Sequence, residues 1–315
     1  MIYDVIIIGG GPAGLTAAIY NSRARLKVLL IESYTTPGQA VVTSDIENYP
    51  GFPEGISGFK LIEKFKKQAK DFGAEFKIGD VSGINRFMHF GKKAWHVELK
   101  EEKLSTYAVI VASGAHPRPL GVPGEDELRG KGVSYCAVCD AAFFKNKEIA
   151  VIGGGNTAIE EALFLAKFAS KVTVIHRRER LRATKILQER ALENGKIEFI
   201  WNSVVSAISG KDKVEALKIK NVKTDKETNF PCYGAFIFVG YVPNTDFLKG
   251  TSVALDDGGY ILSDNEMKTS RSGVFVAGDV RKKHQRQIVT ACGDGAAAAY
   301  SARMYVDELK GIAYK

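Results

Sequence analysis

An α/β chain built from two parallel-sheet units, one inserted into the other, is what the sequence predicts, on three observations. A strand, a glycine turn, a helix and a second strand follow one another twice, in "DVIIIGGGPAGLTAAIYNSRARLKVLLIE" and again in "KEIAVIGGGNTAIEEALFLAKFASKVTVIHRRER". Thirty-two glycines against nine prolines suit many tight strand-to-helix turns better than a disordered chain. The segment "RSGVFVAGDV" at 271–280 reads as one more buried strand, ending in Gly278-Asp279, and an alanine-rich helix follows from about Gln287.

In the first copy, Gly9, Gly11 and Gly14 fit G-x-G-x-x-G within "GGGPAG", with Pro12 and Ala13 opening the helix. The first glycine allows the tight turn, the second lets a pyrophosphate reach the backbone, and the third lets helix and strand pack closely. Glu32 closes the second strand, where a carboxylate can accept hydrogen bonds from an adenosine ribose. A glycine-rich turn without a ligand would leave Glu32 unaccounted for. In the second copy, Gly153, Gly155 and Ala158 repeat the turn, with Asn156 and Thr157 between them, and Ala162, Leu165 and Phe168-Ala169 recur at helical spacing. Here the second strand ends in His176-Arg177-Arg178, with Arg182 beyond. Arginines at this point can pair with a 2′-phosphate that a glutamate would repel, so the second site is expected to take NADPH rather than NADH; the alternative is an ordinary solvated helix start. Two Rossmann-like dinucleotide-binding folds in one chain point to a bound flavin and a diffusible nicotinamide. Asp279, just ahead of a helix, can bind a sugar hydroxyl or serve as a turn residue.

The order of elements implies nesting. Junctions are expected in "GAHPRPLGVPGE" and "GYVPNTD", both bearing proline and glycine. Residues 1–115 and 246–315 would form the flavin domain and 116–245 the inserted nicotinamide domain.

Composition narrows the function classes. A chain of 315 residues with 45% apolar content can bury a large core. Its apolar runs, such as Val5–Ile8 and Val109–Ala112, are strand-sized, so no membrane span is expected. The opening "MIYDVIIIGGG" goes straight into strand and turn, and four cysteines are too sparse for a secreted disulfide scaffold; both predict a cytoplasmic protein. The net charge of +8 is spread along helices, which disfavours nucleic-acid binding and permits acidic protein partners.

"YCAVCD" at 135–140 places Cys136 and Cys139 three apart with Asp140 behind them. The spacing serves zinc, redox chemistry or simple burial. Zinc wants about four ligands, and Cys232 and Cys292 are isolated with no paired histidines, so no metal site is expected. For redox work the spacing closes a small disulfide loop that exchanges through thiolate attack. Asp140 would then move a proton to or from a thiolate, or would cap the helix turn in "AAFFKN".

With the dithiol lying just ahead of the second glycine motif, the chain resembles the low-molecular-weight thioredoxin reductases over essentially its whole length. The resemblance is carried by "GGGPAG" at 9–14, "PGQ" at 37–39, "IENYPG" at 46–51, "ASGA" at 112–115, "CAVCD" at 136–140, "GGGNTA" at 153–158, "HRRERLRA" at 176–183, "GYVPNT" at 240–245, "AGD" at 277–279 and "RQI" at 286–288. It implies that tightly but non-covalently bound FAD is held by the first glycine motif with Gly38, Gln39, Asn48, Val81, Gly114, Asp279, Arg286, Gln287 and Ile288. NADPH would be held by Gly155–Ala158, His176, Arg177, Arg178 and Arg182. Cys136 and Cys139 would be the redox pair, with Cys139 nearer the flavin and Cys136 the exchange thiol. Thioredoxin or a thioredoxin-like protein would be the acceptor, the inserted domain would rotate between half-reactions, and the enzyme would be a homodimer. The chain departs from the family pattern at Pro37-Gly38-Gln39-Ala40, where "GGQL" is usual, and at Ala112-Ser113-Gly114, where "ATG" is usual. Residues 33–52 hold no cysteine, which excludes the plan with a dithiol in the flavin domain. Competing readings are a related dithiol enzyme that draws electrons from ferredoxin or passes them to a different protein acceptor, a ferredoxin–NADP reductase relative, which needs no cysteines, and a non-catalytic nucleotide sensor.

Overall fold

The strand Ile2–Ile8 lies between Val28–Glu32 and Lys103–Val111, all three parallel, with Val5 opposite both Val28 and Ala108. Val5, Ile6, Ile7, Leu30, Val109 and Ile110 are fully buried. A strand covered on both faces needs an unbroken apolar run, which is why these segments show no polar alternation. The structure, a computed structural model, describes residues 2–33, 38–43 and 46–313; Pro37 of the "PGQ" motif lies outside them.

Glu75–Ile78 extends the sheet beyond Val28–Glu32, and Lys92–Leu99 and Val81–His89 extend it on the other side. The strand Lys103–Val111 branches. Its first half pairs antiparallel with Lys92–Leu99, Thr106 facing Trp95, and its second half pairs parallel with Val274–Val276, Val109 facing Val274. The C-terminal strand therefore returns to the N-terminal sheet. Helices Pro12–Arg23 and Ile288–Lys310 pack against each other beside it. A Cβ on Gly295 would come within 2.2 Å of the Ala13 carbonyl oxygen, and Ala291, Ala298, Ala299 and Ala302 are buried on the same helix. Small residues are what permit so close a crossing. The long helix ends at Gly311, whose φ of 74° gives the left-handed cap.

The chain divides into two compact units, 1–116 with 242–315, and 117–241. The second has its own parallel sheet in the order Ile197–Ile200, Lys171–Ile175, Glu148–Gly153, Ala235–Phe238, Val133–Ser134. Helices Asn156–Leu165 and Lys185–Glu193 belong to this unit, as does an antiparallel meander of Ser203–Ser209, Ala216–Asn221 and Glu227–Pro231. Among the described residues no helix is long and apolar enough to cross a membrane.

One buried carboxyl sets a pH dependence. Burial pushes Glu161 up to about 7, with Glu160 beside it adding to the rise. Its unfolded value is about 4.5, so between these two pH values the folded chain holds the proton longer and stability falls as pH rises. Above that window the penalty is constant, about 1–3 kcal/mol. Glu161→Gln should raise the urea midpoint at pH 8 and leave it unchanged at pH 4; equal midpoints at pH 8 would contradict this account.

Candidate active site

The two glycine turns are built alike. Helices Pro12–Arg23 and Asn156–Leu165 start from extended N-caps, Gly11 and Gly155, and neither has a side-chain cap. Their first-turn N–H groups are thus left for a ligand, and nothing lies within 4 Å of where a Cβ would stand on either glycine. At the third motif position a Cβ on Gly14 would meet the Gly9 carbonyl oxygen at 1.9 Å, whereas the equivalent residue of the second copy, Ala158, is accommodated and fully buried. The middle glycines, Gly10 and Gly154, matter as much, and the motif pattern leaves them as free positions. A Cβ on Gly10 would lie 2.5 Å from Glu32 Oε2, and one on Gly154 would lie 2.4 Å from the His176 ring. In both units the residue that ends the second strand folds back over the middle glycine. The sequence signal was the repeated triple glycine. Glu32 also pairs with Lys66 Nζ at 2.9 Å, a partner that sequence spacing does not suggest.

Further along the first unit, several expected residues come together. Asn48 Nδ2 donates to Gln287 Oε1 at 3.0 Å, and Gln287 with Thr290 forms a capping box at the start of the long helix. The Arg286 guanidinium stands 4.2 Å from the Tyr260 ring centre, and its Nε donates to the Asp279 carbonyl oxygen at 3.5 Å. A Cβ on Gly278 would touch Ala13 of the first turn, so the "AGD" segment sits against the glycine motif. Asp279 Oδ1 is buried without a hydrogen-bond partner, and Lys283 Nζ lies 3.6 Å from it. Burial raises this carboxyl, and the Lys283 and Arg286 charges oppose the rise. Lys283 is held in turn by Asp294 at 2.9 Å, which also takes Arg281 at 3.0 Å and the Gly278 N–H at 3.1 Å. A buried acceptor oxygen without a donor, beside an open glycine turn, fits a polyhydroxyl nucleotide such as FAD. Gly114 adopts φ of 66° and its carbonyl takes the Asn244 N–H. Val81 opens a strand just past Gly79, whose N–H reaches the Glu32 carbonyl at 2.8 Å. Gly38 and Gln39 lie in the turn at 38–43, where the Gly38 carbonyl accepts the Val41 N–H at 2.9 Å and the Gln39 carbonyl accepts from Thr43 Oγ1 at 3.0 Å.

In the second unit Gly155, Asn156, Thr157, Ala158 and Arg182 line one cleft with Pro117 and residues 237–241. His176 is 5% exposed, and its Nε2 has no partner. Burial lowers its pKa, the Arg182, Arg178 and Arg177 charges add to the fall, and a bond to the Arg180 backbone opposes it. The ring is therefore neutral at physiological pH. Arg177, Arg178 and Arg182 are exposed on the loop that follows. An open turn lined by Arg182, with Arg177 and Arg178 exposed on the same loop, fits a phosphorylated dinucleotide.

Cys136 and Cys139 are joined as a disulfide with Cα atoms 5.4 Å apart. Cys136 is the N-cap of the short helix Ala137–Asp140, and its Sγ accepts from the Cys139 N–H at 3.2 Å. Cys139 is exposed and Cys136 half-buried. This helix packs on Asn156–Leu165, the helix that springs from the nucleotide turn. Asp140 stands at the start of the turn Ala141–Phe144 but makes no side-chain capping bond there. The residue ahead of the dithiol is anchored: Tyr135 OH donates to Glu125, which also accepts N–H bonds from Leu120, Gly121 and Val122. Burial works to raise Glu125, and these donors outweigh it, leaving the carboxyl lowered. Cys232 is buried and pushed up to about 12, and burial raises Cys292 as well. Both thus remain protonated thiols. Among the described residues no group of three or more acidic, histidine or cysteine side chains could hold a metal ion.

The chain is similar to known proteins along nearly its whole length. A curated thioredoxin reductase of Listeria monocytogenes is 50% identical over 310 residues, 98% of this chain and 95% of that protein. The solved thioredoxin reductase of Lactococcus lactis is 46% identical with a TM-score of 0.93, covering 97% of this chain and 99% of that one. A ferredoxin-flavin thioredoxin reductase from Clostridium acetobutylicum is 31% identical with a TM-score of 0.53, covering 98% and 99%. The family model described as pyridine nucleotide-disulphide oxidoreductase matches residues 3–295, which span both glycine turns and the disulfide. On that match and these identities, the chain belongs to the pyridine nucleotide-disulphide oxidoreductase family.

Proposed function

We propose that the protein is an NADPH-dependent flavoprotein disulfide reductase whose acceptor is the disulfide of thioredoxin or a thioredoxin-like protein. The observation that carries this reading is the placement, in one unit, of a closed Cys136–Cys139 disulfide on a helix packed against the helix of an arginine-flanked nucleotide turn. FAD, when bound, supplies the two-electron relay between nicotinamide and disulfide. The chain does the rest. Gly9, Gly11 and Pro12 shape a turn whose following backbone N–H groups, at Ala13 and Gly14, face a pyrophosphate, Glu32 and Asp279 accept from sugar hydroxyls, and Arg286, Gln287 and Ile288 begin the helix beside them. Gly38, Gln39, Asn48, Val81 and Gly114 complete the flavin site in this reading. Gly153, Gly155, Asn156, Thr157 and Ala158 seat the nicotinamide nucleotide, with His176, Arg177, Arg178 and Arg182 on its 2′-phosphate. Cys136 and Cys139 exchange with the acceptor disulfide while Asp140 delivers or removes the proton that each thiol requires.

Turning of the inserted unit on its two connections belongs to the same reading, as do a cytoplasmic location and a homodimer. The ferredoxin-dependent alternative leaves four side chains suited to a 2′-phosphate without a role, and the likeness to that enzyme is the weaker one. Anaerobic titration with NADPH tests the proposal directly. Uptake of four electrons per subunit, flavin plus dithiol, is expected; two electrons, or bleaching by reduced ferredoxin and not by NADPH, would overturn it.

A further inference from the structure

Guanidinium groups that read a 2′-phosphate sit on a loop, and they discriminate only as well as that loop is held. Two bonds tie its far end to the glycine turn. The Arg182 N–H donates to the Gly154 carbonyl oxygen at 2.7 Å, and the Thr184 N–H donates to Asn156 Oδ1 at 2.8 Å. At the near end, the Ser203 N–H donates to the His176 carbonyl at 3.0 Å and the Asn202 N–H to the Arg178 carbonyl at 3.2 Å. Of these four bonds only one uses a side chain, that of Asn156. Thr184 is exposed, so its N–H could bond water instead. The Asn156 bond therefore fixes position rather than rescuing a stranded donor.

We infer that Asn156 is a positioning residue for nucleotide selectivity, holding Arg182 and its loop where a 2′-phosphate is recognised. The inference rests on the NADPH reading above and revises the part of it that makes Asn156 a nucleotide contact. Its side-chain oxygen is committed to the loop. The pyrophosphate subsite, made of backbone N–H groups that follow Gly155, does not depend on that oxygen. Loss of the bond should thus weaken only ligands bearing a 2′-phosphate.

Calorimetry with 2′,5′-ADP and 5′-AMP on the flavin-loaded protein separates the possibilities without turnover. The parent is expected to bind 2′,5′-ADP more tightly than 5′-AMP. In Asn156→Ala the affinity for 2′,5′-ADP should fall about fivefold to tenfold, with 5′-AMP unchanged. Asn156→Asp keeps an acceptor oxygen and should keep the ratio of the two affinities. Thr184 has φ of −62° and makes no side-chain capping bond, and proline adopts that φ without strain, so Thr184→Pro removes the N–H donor and should reproduce the Asn156→Ala ratio. A parent with no preference removes the NADPH reading and this inference together. A parent that prefers 2′,5′-ADP, with Asn156→Ala giving the same ratio or Asn156→Asp losing it equally, removes the inference alone.

Discussion

Replacing Cys136 and Cys139 together with serine is expected to lower NADPH-dependent thioredoxin reduction by roughly a thousandfold or more, as removal of an essential nucleophile does, while NADPH-dependent reduction of ferricyanide continues. The contrast follows from where the two reactions draw on the chain. Ferricyanide takes electrons from the flavin and needs the nucleotide sites only, whereas a protein disulfide must be attacked by a thiolate. The variant should fold, which makes the result a statement about chemistry. Cys136 Sγ accepts the Cys139 N–H as an N-cap, and serine is among the better N-cap residues. Cys139 is exposed, so a hydroxyl there is solvated. Flavin content and the far-ultraviolet spectrum should match the parent. Thioredoxin reduction at the parent rate in this variant would remove the dithiol from the reaction.

How much of this was legible in the sequence depends on what dictates each residue. The two glycine turns were legible because a tight turn, a close ligand approach and a close helix crossing each exclude side chains, and that demand fixes residue type at fixed spacing. The buried strands Ile2–Ile8 and Lys103–Val111 were legible for a similar reason, since burial on both faces leaves no place for polar residues. Pairings between side chains far apart in the chain were not. Lys66 meets Glu32, Tyr135 meets Glu125, and Asp294 meets both Arg281 and Lys283. None of these has a spacing that sets it apart from any other pair of charged or polar residues, because tertiary packing alone brings them together. Asp140 illustrates the limit differently. Its type and place suit a helix cap, its backbone does stand at the cap position, and yet the side chain makes no capping bond.

Gly10→Ala and Gly154→Ala are expected to separate the two nucleotide sites, each damaging one and sparing the other. Adding a Cβ at Gly10 forces the Glu32 carboxylate away, because Oε2, Cγ and Cδ all lie within 2.7 Å of the new atom. Glu32 is the far end of a flexible side chain and is a quarter exposed, 24%, so it can swing aside. On the proposed reading of Glu32 as a ribose ligand, the cost should appear as lost flavin, a lower ratio of visible to ultraviolet absorbance after dilution. At Gly154 the new atom meets three atoms of the His176 ring within 2.8 Å, and that ring is buried. It has no room to give. The strain passes into the backbone that carries Arg177, Arg178 and Arg182, at a cost of about 1–3 kcal/mol for an overpacked site. The affinity for 2′,5′-ADP should fall by about fivefold to 150-fold, the same energy expressed as a ratio, with flavin content normal. Gly154→Ala should thus be the more severe of the two, even though both substitutions add one methyl group at the same motif position. The difference lies in the mobility of the residue overhead, a rigid buried ring in one unit and a partly exposed, flexible carboxylate in the other. Equal loss of flavin and of 2′,5′-ADP affinity in both variants would mean that the strand-end residues do not act through the middle glycines.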